Sequence, residues 1–188
     1  MSNIDADRKD ILKLHRDWWH ANERWDIPVM TKRFPVGPNY LMFSYNWHPY
    51  FGIDEKIRLW KYYTATGLQL AATDIRIMRF EVLGDLAYIA NEFEIGEKLP
   101  QDARGGIDEV QALPPRGGSL TDRGRSTEIY KRDDGEGRPI WKMWHFHCSP
   151  LPPVDTIRPA FDDTAQSRGG LGWTPWGDPL RSVGSGRD

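Results

Sequence analysis

The sequence predicts an α+β fold, with N-terminal helices packed on one face of a curved antiparallel sheet. Two observations carry this. Apolar residues recur every three to four positions near the N-terminus, and strand-like segments follow from residue 74 onward. The count of 188 residues suits one domain with additions.

The first helix is predicted over residues 5–25. Ile11, Leu14, Trp18, Ala21 and Trp25 share one face, and Asp5 or Asp7 can cap it. It should end near Asp26, because Pro28 follows. A short helical turn fits Val29 to Phe34, and Pro35, Gly37 and Pro38 mark a loop. Asn39 to Tyr45 is aromatic-rich and reads as a strand, with Asn46 to Gly52 as a turn. A second helix is predicted over residues 54–65, closed by Gly67. Asp74 to Val82 and Leu86 to Ile95 form a hairpin around Gly84-Asp85. Arg125 to Lys131 and Ile140 to Cys148 form a second, joined by a Gly/Asp-rich turn at 133–137. Residues 96–124 read as a long Gly/Pro-rich inserted loop, the length and composition of a lid. Residues 150–188 read as an extended C-terminal tail, expected to dock on the body or on a neighbouring subunit through Trp173 and Trp176. The domain proper is thus residues 1–149.

Composition narrows function. With 25 Lys+Arg against 27 Asp+Glu, no basic excess exists to neutralise a phosphate backbone, so nucleic acid is not the expected partner. No apolar run approaches a membrane span, and the mean hydropathy is −0.64. The polar, acidic N-terminus lacks targeting features, so a cytoplasmic location is expected. One cysteine, Cys148, excludes an internal disulfide framework. Neither a phosphate loop nor a dinucleotide fingerprint occurs, and no cofactor is expected. The 9 Trp point either to a Trp-rich core or to a pocket for a bulky aromatic compound.

The run Gly124 to Ser149, GRSTEIYKRDDGEGRPIWKMWHFHCS, resembles the closing hairpin of the nuclear transport factor 2-like superfamily, in its SnoaL-like branch. It is also similar to the association domain of calcium/calmodulin-dependent kinase. Trp25-Asp26, Tyr50-Phe51-Gly52 and Gly84-Asp85-Leu86-Ala87 fit the same pattern, so the likeness covers residues 5–149. It implies a cone-shaped sheet around a cavity. The arginines that line the kinase-domain pocket fall on Glu92, Glu128 and Cys148 here, so the resemblance implies a cavity with inverted charge. Glu92 and Glu128 would then be an acid/base pair, with Tyr45, His48 and Arg76 as further catalytic candidates. A bridge from Arg76 or Arg125 to these carboxylates is the structural alternative. Trp18, Tyr40, Trp60, Tyr88, Arg104 and Trp144 are the candidate substrate-binding residues. Lys56, like Arg76 and Arg104, can partner an oxyanion or sit as a surface charge. His145 and His147 form a metal-like pair without a third ligand, on the face away from the cavity; His15 and His20 are expected to be solvated or to face a partner.

The resemblance implies a cofactor-independent lyase or isomerase. The superfamily includes lyases that release formaldehyde from lignin-derived diarylpropane diols to give stilbenes, and the Trp content suits a phenolic two-ring substrate. The alternatives are a non-catalytic small-molecule-binding or oligomerisation module, and a metal-dependent enzyme on the histidine pair. A homodimer or homotrimer is the expected assembly.

Overall fold

A computed structural model describes residues 4–104 and 113–151, with backbone only at 71–73. Helix α1 (Ile4–Glu23) and the short α2 (Ile27–Thr31) precede strands β1 (Leu41–Phe43) and β2 (Pro49–Phe51). Helix α3 (Ile53–Thr66) follows, and then β3 (Gln69–Leu83), β4 (Leu86–Lys98), β5 (Ser119–Arg132) and β6 (Trp141–Pro150). The six strands form one sheet in the order β2-β1-β6-β5-β4-β3. All neighbours are antiparallel except β1 and β6, which run parallel, a departure from the expected all-antiparallel sheet.

The expected loop at 96–124 is shorter than the sequence suggests. Gly96, Glu97 and Lys98 pair with Thr121, Leu120 and Ser119, extending the β4–β5 ladder through residues whose composition reads as loop. Pairing across a central ladder overrides weak local propensity. β2 also falls where a turn is expected, because Pro49–Phe51 pairs with β1 across a tight connection. The lid segment 105–112 and the tail beyond Leu151, including Trp173 and Trp176, lie outside the described residues.

Alternation along the strands sets the inner face. Ala87, Ile89, Asn91 and Phe93 of β4 are buried, as are Ser126, Glu128 and Tyr130 of β5 and Met143, Phe146 and Cys148 of β6. Gly124 is the glycine this packing demands. A Cβ there would lie 2.4 Å from the Phe93 ring and 2.9 Å from the Ser149 carbonyl. A second glycine constraint sits at the β5–β6 turn. Gly135 has φ +93, and a Cβ would meet the Val36 carbonyl at 2.3 Å.

Two buried polar knots fasten α1 to the sheet. Asp7 sits in the first turn but faces inward rather than capping the helix. It accepts two bonds from the Arg132 guanidinium, at 2.7 and 2.6 Å, and one from Trp141 Nε1 at 3.0 Å. The Arg132 bonds outweigh burial and hold the Asp7 carboxyl below the usual carboxylate range.

Deeper along the helix, Glu128 is fully buried and takes four donors. Its Oε1 accepts from Trp19 Nε1 at 3.0 Å and Asn91 Nδ2 at 3.1 Å. Its Oε2 accepts from His15 Nδ1 at 2.7 Å and from the Tyr130 hydroxyl. A carboxylate only accepts, so His15 carries its proton on Nδ1. Asn91 is in turn oriented by the Ser126 hydroxyl at 2.7 Å. His15 is therefore part of the core, not the solvated residue expected from its neighbours in sequence.

Glu128→Gln replaces one acceptor oxygen by a donor that meets donors. Losing one member of a buried charged network should cost about 2–4 kcal/mol. Urea unfolding followed by tryptophan emission should show that drop; an unchanged midpoint would show that the knot is not a fastener.

Candidate functional site

Between α1, α3 and the inner face of the sheet lies a cavity of about 110 Å³. Its floor and walls are Trp18, Trp19, Trp60, Phe93 and Phe146, with Met42 and Cys148. The aromatic wall is mutually braced. Trp18 packs edge-on to Trp19 at 4.7 Å between ring centroids and lies 4.7 Å from Phe146. Trp19 lies 5.3 Å from Phe93. At the rim stand Asn22, Trp25, Asn46, Tyr63, Leu113, Glu97 and Asp122, all half-buried. Trp25 reaches its place through a left-handed backbone, φ 51, just after α1, and its Nε1 donates to the Leu68 carbonyl at 2.6 Å.

The polar groups in this cavity are few and unevenly satisfied. Lys56 projects from α3 one turn before Trp60 and is buried, 4% exposed. Its Nζ donates to Ser44 Oγ at 3.1 Å and lies 4.7 Å from the centre of the Tyr50 ring. Burial pushes its pKa down to about 8. Cys148 behaves as a neutral thiol, since burial pushes it up to about 12 despite Lys56.

Glu97 is the acidic counterpart. Its Oε2 is buried without a hydrogen-bond partner among the described residues. Burial, and then the nearby charge of Asp122, push its pKa up to about 7. Burial raises Asp122 as well. Tyr45 donates its hydroxyl to the Arg123 carbonyl at 3.0 Å, and burial raises its pKa.

Of the residues expected at the site, Trp18, Trp60 and Tyr45 line the cavity. The others lie elsewhere. Glu92 and Glu128 do not share a face. Glu92 pairs across strands with Arg76 and Arg125 on the outer face, whereas Asn91 and Ser126 point in. Arg76 Nη2 lies 2.5 Å from Glu92 Oε2, and Arg125 Nη2 lies 2.9 Å from Oε1. Burial works against the Glu92 charge, but Arg125 and Arg76 outweigh it and keep its pKa below the ordinary value. This is the arginine-bridged arrangement, not an acid/base pair.

Glu128 faces inward but lies behind Trp19, with all four of its acceptor positions taken. It positions the wall rather than meeting a ligand. Tyr88 is on the outer face with Glu92, paired with Ile129. A register shift between Ile129 and Tyr130 turns Trp144 outward, where its Nε1 donates to the Asp133 carbonyl at 2.7 Å. Tyr40 is buried in the core, its ring 4.5 Å from Phe34, and does not line the cavity. His48 is exposed beside Tyr50, in a separate shallow cleft with Glu55 and Arg58. Arg104 is exposed.

His145 and His147 flank Phe43 on the outer face, and His145 Nδ1 bonds the Leu41 carbonyl at 2.9 Å. No metal-ligating group of three forms among the described residues. No helix among them is long and apolar enough to cross a membrane.

Sequence reasoning missed Glu97, Asp122, Asn22 and Asn46. Glu97 continues the inner parity of Phe93 and Ile95, which is the signal that finds it. Lys56 was legible as a lysine one turn from Trp60, on the apolar stripe that Ile53 begins.

No protein-family model and no curated protein sequence matches the chain. Solved structures do match. A ketosteroid isomerase-like protein from Erwinia carotovora superposes with a TM-score of 0.57 at 14% identity, over 77% of this chain and 96% of its own. A dehydratase candidate of the NTF2-like family from Streptomyces avermitilis gives 0.57 at 19% identity, over 80% and 100%. The chain has the nuclear transport factor 2-like fold. A candidate calcium/calmodulin-dependent kinase II association domain from Thiobacillus denitrificans shares it, with a TM-score of 0.52, 14% identity and coverage of 74% and 93%. Enzyme-like and assembly-type neighbours thus carry one nuclear transport factor 2-like frame, and the site must decide the chemistry.

Glu97 makes the cavity pH-sensitive in a defined direction. The folded side chain keeps its proton up to about pH 7, while an unperturbed one releases it near 4.5. Between these values the folded state binds more protons, so this group's contribution is full below 4.5 and is lost as pH rises to 7. Glu97→Gln cannot titrate. The stability of wild type relative to this variant should therefore fall between about pH 5 and 7 in urea unfolding. A pH-independent difference would show that Glu97 titrates like a solvated carboxyl.

Proposed function

We propose that this chain is a cofactor-independent lyase or isomerase that moves protons on an aromatic small molecule held in the cavity. The observation that carries the reading is Glu97. It is a half-buried carboxyl with an unpartnered oxygen and a pKa raised to about 7, at the rim of an aromatic-walled cavity. A group poised near neutrality can both give and take a proton. Lys56, which lines the cavity, supplies positive charge to an oxygen that becomes anionic. The nearby charge of Asp122 helps burial to keep the proton on Glu97. The cavity, at about 110 Å³, is smaller than the ~150 Å³ that encloses benzene, so a ring would sit in it with one edge in its open mouth. A second ring would rest on the rim against Trp25 and Leu113.

Within this class, a phenolic diarylpropane diol is a concrete substrate. Protonation of the benzylic hydroxyl lets it leave as water while the phenol loses its proton, giving a quinone methide. A base then takes the terminal hydroxyl proton. Carbon–carbon cleavage releases formaldehyde, and the electron pair restores the aromatic phenolate of a stilbene. Glu97 can serve as acid and then as base in such a sequence, with Lys56 stabilising the phenolate.

Glu97→Gln should lower turnover by about 10²–10⁴ while leaving the binding of a product-like aromatic intact. Formaldehyde and stilbene formation from the diol, followed with wild type and variant, is the assay. Near-wild-type turnover in the variant would remove Glu97 from the chemistry.

An oligomerisation role is a second reading, favoured by one observation. The outer sheet face exposes Phe43, Phe51 and Ile129 beside His145 and His147. On this reading a second copy of this chain would cover that face; a dimer or larger mass by light scattering supports it and a monomer counts against it.

A further inference from the structure

Lys56 carries more than charge. Its ammonium would have three N–H donors, and among the described residues its one hydrogen-bond acceptor is Ser44 Oγ. No carboxylate among them pairs with it, and burial is what lowers its pKa. Tyr50 and Trp60 offer ring faces at 4.7 and 5.9 Å. The ring faces favour the ammonium, but burial outweighs them, and with a pKa of about 8 a neutral amine fraction of roughly a tenth exists at pH 7. The amine stands in the wall of the cavity, beside a neutral thiol and away from bulk water. An amine desolvated in an apolar pocket is an activated carbonyl nucleophile.

We propose that Lys56 captures an aromatic aldehyde or ketone as an imine, with the ring of the carbonyl compound in the cavity. The Nζ lone pair forms the C–N bond as the carbonyl π pair moves to oxygen. That oxygen takes up both amine protons, one directly and one through the site, and leaves as water. The C=N bond replaces the C=O bond, and no oxidant or reductant is consumed. Ser44 Oγ, within hydrogen-bond distance of Nζ, is placed to relay one of these protons. The imine rests on the reading of the cavity as an aromatic-binding site and adds aromatic carbonyl compounds to the ligands that site would take.

Benzaldehyde with sodium cyanoborohydride tests this at pH 7, with intact mass and peptide mapping as the readout. The reductant turns the imine into a stable benzylamine. The expected result is one adduct on the Lys56 peptide, formed at least ten-fold faster than at exposed Lys13 or Lys61, and suppressed by benzyl alcohol, which fills the cavity without a carbonyl. Lys56→Arg and Lys56→Met should abolish that adduct while benzyl alcohol still quenches tryptophan emission, which also verifies that the variants fold. Quenching by benzyl alcohol with no labelling of Lys56, or labelling only of exposed lysines, overturns the imine and leaves the aromatic site standing. Absence of benzyl alcohol binding to wild type overturns both.

Discussion

Glu128 is the interaction on which the rest of the structure depends. A buried carboxylate is costly unless every acceptor position is filled. Here the four donors come from α1, β4 and β5, so the helix and the sheet cannot separate without stranding the charge. The consequence reaches the cavity directly. Trp19, held by its indole N–H, fixes the ring against which Trp18 and Phe93 pack. The aromatic wall is set by a polar knot one layer behind it, which is also why Glu128 is unsuited to chemistry of its own.

Polar satisfaction differs from group to group along the inner face. At Glu128 the network is closed. At Lys56 it is reduced to one serine hydroxyl, and at Glu97 one carboxylate oxygen has no partner among the described residues. Groups that are buried and incompletely paired keep perturbed pKa values and free valence for a ligand. Glu128 thereby belongs to the frame, whereas Lys56, Glu97 and the buried Trp18 Nε1 keep hydrogen-bonding capacity unfilled among the described residues.

Much of the fold was legible in the sequence because the physics is local. The apolar stripe of α1, Gly67 at the end of α3 in the left-handed conformation, and the Gly84-Asp85 turn all sit where the pattern puts them. The site was less legible because it depends on parity and register. Along β4 the apolar set Ala87, Ile89 and Phe93 marks the inner face, and Asn91 belongs to it. Matching to an arginine-lined pocket instead placed Glu92 inside, one residue out of phase, and a one-residue slip exchanges the faces of a strand. The bulge that turns Trp144 outward is a similar single-residue effect, pinned where the Met143 amide donates to the Arg33 carbonyl. His15 was unreadable from sequence, since its partner lies 113 residues away.

A crystal structure of the protein with bound phenol tests the central claim most directly. The ring should occupy the space between Trp18, Trp60 and Phe146, with its oxygen within hydrogen-bond distance of Lys56 Nζ and Glu128 still holding Trp19. A cavity filled by its own side chains, or phenol bound only on the outer face of the sheet, would contradict it.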